Sequence, residues 1–283
     1  MTDAGQTAEH PPVEVASPAV RRELERHEGR VAGATGRRFV DLGDAILVHD
    51  RRASEPWRTW LGDVRWPAAG RAFDRRLIDA LALFATIDRR PSIWVQPGTS
   101  GPSNLAERLR AGGFAAGETA YRMGLRSSAA RSIAAAARDR PGLAASVVSG
   151  PASGDPAVAD AAQVMASAFG VTRTLLAAEL EGGLAVPGAT MVVVRAAGGE
   201  AVGAGRSFVL DGAAYLSAIG VRPGWRSRGI GRFVTAVLAE AGFRAGSRTV
   251  HLGVAASNVP AWRAYAALGF RALGPPATRF ELR

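Results

Sequence analysis

The feature that most restricts the fold of this chain lies between residues 191 and 242. Three apolar runs of strand length, 191–195, 201–210 and 214–221, are separated by Gly198-Gly199 and Asp211-Gly212. Such pairs suit hairpins because they reach the left-handed backbone conformations that tight turns between antiparallel strands require. Pro223-Gly224 stops the third run, and Ile230, Phe233, Val234, Val237, Leu238 and Ala241 then recur at the spacing of one helical face. An antiparallel sheet followed by an amphipathic helix is therefore expected, with Arg226-Ser227-Arg228-Gly229-Ile230-Gly231 placed at that helix's N-terminus.

Around this core the C-terminal half begins with a strand at 143–148, a helix at about 156–169 and a second helix at 172–181 that Gly182-Gly183 should end. A strand at 249–254 follows the long helix. In the first half, residues 18–30 carry a polar helical pattern, 39–49 alternates toward a strand, and Phe73, Leu77, Leu81 and Phe84 define a helix over 72–84 before a buried strand at 92–95. An Ala- and Arg-rich stretch ending in Pro141-Gly142 reads as a connector. The expected organisation is a disordered tail at 1–18, a first domain at 19–128, a linker at 129–142 and a second domain at 143–283.

Segment 90–125 (Ile93, Val95, Leu105, Leu109, Gly113, Phe114) parallels segment 247–282 (Val250, Leu252, Ala261, Tyr265, Gly269, Phe270). Self-similarity on this scale points to duplicated domains rather than a solenoid, which needs more copies.

Composition excludes several classes. The 283 residues carry no cysteine, so disulfides, thiolate metal sites and a cysteine nucleophile are ruled out, and the usage is compatible with a reducing cytoplasm. No window approaches the ~18 uninterrupted apolar residues of a membrane span. The 35 basic residues are all Arg and lie in ones and twos among Ala and Gly. That scatter fits GC-rich coding better than a nucleic-acid face, despite a formal charge of +10. The four histidines show no metal-ligand spacing, and no metal is expected.

A helix N-terminus gathers unpaired backbone N–H groups and the positive end of the helix dipole, and Gly229 and Gly231 would let a bulky anion reach them. Arg226, Arg228 and Arg232 add charge at the rim. A Walker loop would need Lys, which the chain lacks, and a dinucleotide loop needs three spaced glycines in a parallel unit.

Downstream come Asn258, Pro260 at a helix start, Tyr265 and Leu268-Gly269-Phe270. Together with Arg226 to Gly231, these residues resemble the GNAT superfamily of N-acetyltransferases over about residues 143–283. The resemblance implies an α+β fold of two GNAT-like domains, each a mixed, mostly antiparallel sheet flanked by helices. It also implies acetyl-CoA as co-substrate and direct attack by a primary amine on a small molecule or peptide. Ile219 and Val221 then correspond to the strand end facing the pantetheine arm. Arg226, Ser227, Arg228, Gly229, Ile230, Gly231 and Arg232 correspond to the pyrophosphate loop, and Asn258 to a residue touching the cofactor. Tyr265 takes the position that protonates the departing thiolate.

A proton must also leave the amine, usually to a carboxylate or histidine. Several family members place an acid on the strand before the loop, where this chain has Tyr215 and Ser217. His251, Glu179 and Glu181 are the candidates that remain. The first half has no Gly-rich cradle, and Leu109 stands where the second has Tyr265. It reads as a degenerate copy without a cofactor site. A non-catalytic acyl-CoA sensor is the alternative function.

Overall fold

The computed structural model describes residues 10–52, 55, 58–68, 70–138 and 140–283, with the backbone alone for Leu175. The N-terminal half runs α1 (Pro18–Ala34), β1 (Arg38–Asp41), β2 (Ile46–His49), β3 (Trp60–Gly62), α2 (Gly70–Thr86), β4 (Ser92–Val95), α3 (Leu105–Ala111) and β5 (Phe114–Arg126). After α4 (Ala130–Ala136) come β6 (Leu143–Ser149), α5 (Pro156–Phe169), α6 (Arg173–Leu184), β7 (Ala189–Ala196), β8 (Ala201–Leu210), β9 (Ala213–Val221) and α7 (Ile230–Arg244). The chain continues through β10 (Thr249–Ala255), α8 (Val259–Ala266), β11 (Arg271–Ala272) and β12 (Ala277–Leu282).

All the strands belong to one sheet, ordered β1-β2-β3-β4-β12-β5-β10-β9-β8-β7-β6, with β11 also paired to β5. The sequence leads one to expect a separate sheet in each half. Instead the halves exchange strands: β12 lies antiparallel between β4 and β5, and β5 pairs with β10. The two segments alike in sequence are the ones that trade places, since β4-α3-β5 and β10-α8-β12 each give their last strand to the other half. An edge left unpaired would expose a row of backbone donors and acceptors, and each half covers the other's.

In β7, Met191 and Val193 enter the core under α5 and α6, whereas Val192 and Val194 enter the core under α4, α7 and α8. Helix α7 sits low on the sheet because β8 offers it glycines. A Cβ at Gly203 would lie 2.5 Å from Ile230 Cγ2, and one at Gly205 would lie 2.9 Å from Leu238 Cδ1. Burying Phe233 and Leu238 there is worth roughly 1.5–3 kcal/mol each. On the opposite face, α1 touches β1 and β2 of its own half and β8 and β9 of the other, so it bridges the seam.

Four segments differ from expectation, the first being 39–49, which folds as the antiparallel pair β1–β2 rather than as one strand. Residues 1–9 of the expected tail lie outside the described residues, but the rest of it is held: Val13 bridges Ala272, and Glu14 N donates to Ala272 O at 2.8 Å. Helix α6 continues through Gly182-Gly183, where Gly183 lies under the Phe208 ring. The connector folds as α4, with Ile133 fully buried against the α7 core.

Candidate active site

Strands β9 and β10 run parallel only from Ala213 and Thr249 to Leu216 and Leu252. Beyond that point they separate. On its other side β9 shifts register against β8 between Ala204 and Arg206, and Ala218 takes φ 53°. This bulge turns Ile219–Val221 away from β10, whose Gly253–Ala255 keep only their pairing with β5 on the far edge. The resulting slot has unshared backbone polar groups on the β9 side. Ile219 and Val221, the strand-end residues expected from sequence, are half-buried along it.

The expected anion loop follows directly. A 3-10 turn, Pro223–Trp225, leads through Ser227 (φ 62°) and Gly229 (φ 74°) into α7, which begins at Ile230 with no side-chain cap. Left-handed backbone is costly for a residue other than glycine, so Ser227 carries local strain. Arg226, Ser227, Arg228 and Arg232 are exposed, Arg226 Nη2 donates to Ala168 O at 3.2 Å, and Arg228 lies 4.8 Å above the Trp225 ring. Gly231 is half-buried, and a Cβ there would make ordinary contact with Val221 at 3.5 Å. Arg140, assigned to the connector from sequence, is an additional cation here: its Nη1 donates to the Gly229 carbonyl at 3.2 Å. A cleft of about 280 Å³ beside the loop is lined by Arg140, Trp225, Arg228 and Ile230. Cationic, amide-lined and open, the loop fits a diphosphate.

Asn258 serves as the N-cap of α8, its side chain accepting from Ala261 N at 3.3 Å. Tyr265 lies in the same short helix, packed near Phe270, and burial pushes its phenol up to about 12. No described residue hydrogen-bonds its hydroxyl.

On the α1 side of the sheet the slot opens into a cavity of about 590 Å³ between the halves. Ser217, Ala218 and Gly253 from the separated strands form part of its lining. The walls add Trp60, Trp94 and Phe208, together with several carboxylates and guanidinium groups from both halves.

The sequence-derived proton acceptors are placed as follows. Glu179 lines the cavity but is ion-paired to Arg58, which also holds Asp50 at 2.7 Å. Glu181 is not among the lining residues. His251 is fully buried, its Nε2 meets His27 Nδ1 at 2.8 Å, and burial holds its pKa well below the usual value. Tyr215 donates to Glu28 at 3.0 Å, and Glu28 also pairs with Arg122 at 2.7 Å.

Glu25, which the sequence reading did not single out, also lines the cavity. It is 4% exposed, and burial pushes its carboxyl up to about 7, against the attraction of Arg122. The Asp63 backbone favours its carboxylate form, whereas its Oε2 has no hydrogen-bond partner among the described residues. In sequence, Glu25 is one acid among several on a polar helix, and only the fold distinguishes it.

No group of three His, Cys, Asp or Glu among the described residues could hold a metal ion. No described helix is long and apolar enough to cross a membrane.

Residues 166–270, which span the slot, the loop and α8, match the model of the acetyltransferase (GNAT) family. The whole chain is similar in fold to a GCN5-related N-acetyltransferase from Kribbella flavida, with TM-score 0.65, 18% identity, and 89% of this chain and 94% of that one covered. It is likewise similar to a tandem GNAT protein from the clavulanic acid biosynthesis pathway, with TM-score 0.62, 18% identity and coverage of 84% and 78%. A functionally unknown conserved protein from Staphylococcus epidermidis aligns with TM-score 0.65, 12% identity and coverage of 88% and 95%. No curated protein matches the chain.

Proposed function

We propose that this chain is an N-acetyltransferase that moves the acetyl group of acetyl-CoA to a primary amine by direct attack. The observation that carries this reading is the continuity of three features: the cationic loop at the start of α7, the slot between β9 and β10, and the cavity beyond it. The amides and arginines of residues 226–232 would hold the diphosphate, while the free edge of Ile219–Val221 would bond the amide-bearing arm. The acetyl thioester would then face the cavity. Tyr265, a phenol that stays protonated at neutral pH, would give its proton to the sulfur as the carbon–sulfur bond breaks. The N-terminal half, a degenerate copy of the same domain, would serve as the cavity's second wall.

The test is acetyl-CoA titration by calorimetry, followed by a thiol-release assay with amino acids, polyamines, aminoglycosides and short peptides. Binding with amine-dependent thiol release is the expected result, and absence of binding overturns the assignment. Binding without release from any amine would favour a sensor, a reading motivated by Tyr215 occupying a strand position where several relatives carry an acid.

A further inference from the structure

The cavity needs a group that can take a proton from an incoming ammonium, and two of its four lining carboxylates are already engaged. Glu28 accepts from Tyr215 and Arg122, and Glu179 from Arg58. Glu55, also in the lining, is exposed. Glu25 differs in having a buried, unpartnered oxygen.

Its position is built by both local and distant sequence. Helix α1 crosses the seam, which places Glu25 beside the end of β3. There, a Cβ on Gly62 would lie 2.5 Å from Glu25 Oε1 and 2.7 Å from Trp60 Cζ3, so the carboxylate occupies space that only glycine leaves free. The backbone of the next residue, Asp63, favours the carboxylate form, and the Asp63 carboxylate is itself held by Arg26 at 2.8 Å. The charged groups facing Glu25 are Arg122 from β5, Asp63 after β3 and Glu28 one turn along α1. Arg122 favours the carboxylate form, the two acids oppose it, and burial opposes it most.

We infer that Glu25, supplied by the N-terminal half, is the proton acceptor for the amine in the cavity. This rests on the acetyltransfer reading above. The ammonium gives one proton to the Glu25 carboxylate, directly or across one water, and the freed lone pair forms the C–N bond at the thioester carbon. As the C–S bond breaks, the sulfur takes a proton from Tyr265, and the tyrosinate recovers one from the nitrogen. Glu25 then releases its proton to solvent, so the sum is amide, free thiol and one proton. A carboxylate that changes charge near neutral pH suits this task, because it is both available as a base and strong enough to accept.

Two measurements on the full chain test this. Side-chain carboxyl resonances of 13C-glutamate-labelled protein, titrated from pH 4 to 9, should show one group changing near 7 that is missing from Glu25→Gln; if every glutamate titrates in the ordinary range, the inference fails regardless of activity. With the amine that gives the fastest thiol release, Glu25→Gln should lower kcat/KM by about 100-fold and remove the rise in rate through about pH 7, with acetyl-CoA affinity unchanged. Glu25→Asp should restore part of the rate. Gly62→Ala, which crowds the carboxylate without touching the acetyl-CoA loop, should reproduce the loss. If the wild type turns over and Glu25→Gln keeps its rate and pH profile, only the role of Glu25 falls; if the wild type acetylates no amine, the acetyltransfer reading and this role fall together.

Discussion

His251 Nε2 and His27 Nδ1 meet at 2.8 Å, joining β10 of one half to α1 of the other, and His27 Nε2 continues the chain to the Leu210 carbonyl at 2.9 Å. The contact cannot survive with both rings protonated, since one nitrogen donates and the other must accept. Burial lowers both histidines below their usual 6.5, so the unfolded chain takes up protons first as the pH falls. Their contribution is present above about 6.5 and lost below it. We predict that the melting temperature drops as pH falls from 7 to 5 and that His27→Gln shows a shallower drop; an equal slope in thermal melts would remove the pair as its source.

Glu25 has the opposite sign. Raised from 4.5 to about 7, its carboxyl holds a proton more firmly in the folded chain, so its contribution is complete below about 4.5 and lost as pH rises through about 7. Glu25→Gln should therefore be more stable than the wild type at pH 8, by on the order of 3 kcal/mol, and close to it at pH 4.5. Urea unfolding at the two pH values measures the difference, and equal stabilities at pH 8 would refute it.

The two glycines of the loop should not respond alike. Gly229 combines φ 74° with the Arg140 guanidinium 2.8 Å from its Cβ position, whereas a Cβ at Gly231 meets Val221 at an ordinary 3.5 Å. Gly229→Leu should abolish acetyl-CoA binding, and Gly231→Ala should weaken it only several-fold. Calorimetry giving Gly229→Leu normal affinity would discard the cradle.

Tyr265→Phe should slow turnover at least tenfold while leaving acetyl-CoA affinity intact, as expected for a proton donor rather than a binding group. With its phenol pushed up to about 12, Tyr265 should cause no fall in rate between pH 7 and 10. Steady-state kinetics across that range decide the matter, and an unchanged kcat would exclude it as the acid.

Gly205→Val should destabilise the chain by about 2 kcal/mol through overpacking against Leu238 and Val234. Chemical denaturation measures this directly, and a neutral effect would mean that α7 can lift from the sheet.

The elements that sequence made legible are those defined by short-range pattern. β4 and β8 were read with their observed bounds, because alternation and turn residues are local properties. The loop before α7 was equally legible, since glycines, arginines and the helical stripe adjoin one another in the chain. Strand exchange was not, because alternation in β5 and β12 states which residues face a core but not which neighbour a strand takes. Gly182-Gly183 looks like a helix stop, yet α6 runs through it with Gly183 against the Phe208 ring, a tertiary contact that the local sequence does not state. Glu25 is not legible for a related reason: its burial depends on Gly62 and Trp60, which nothing near residue 25 announces.

The position of β12 also bears on how the chain is made. Between β4 and β5 there is a vacancy that only residues 277–282 fill, and these are synthesised long after the N-terminal half. Until they emerge from the ribosome, the early half must wait as an incomplete sheet with apolar Ile93 and Phe114 uncovered by Phe280. Its folding is thereby deferred to the completion of the late half. A chain holding the first half alone would keep an open gap between β4 and β5.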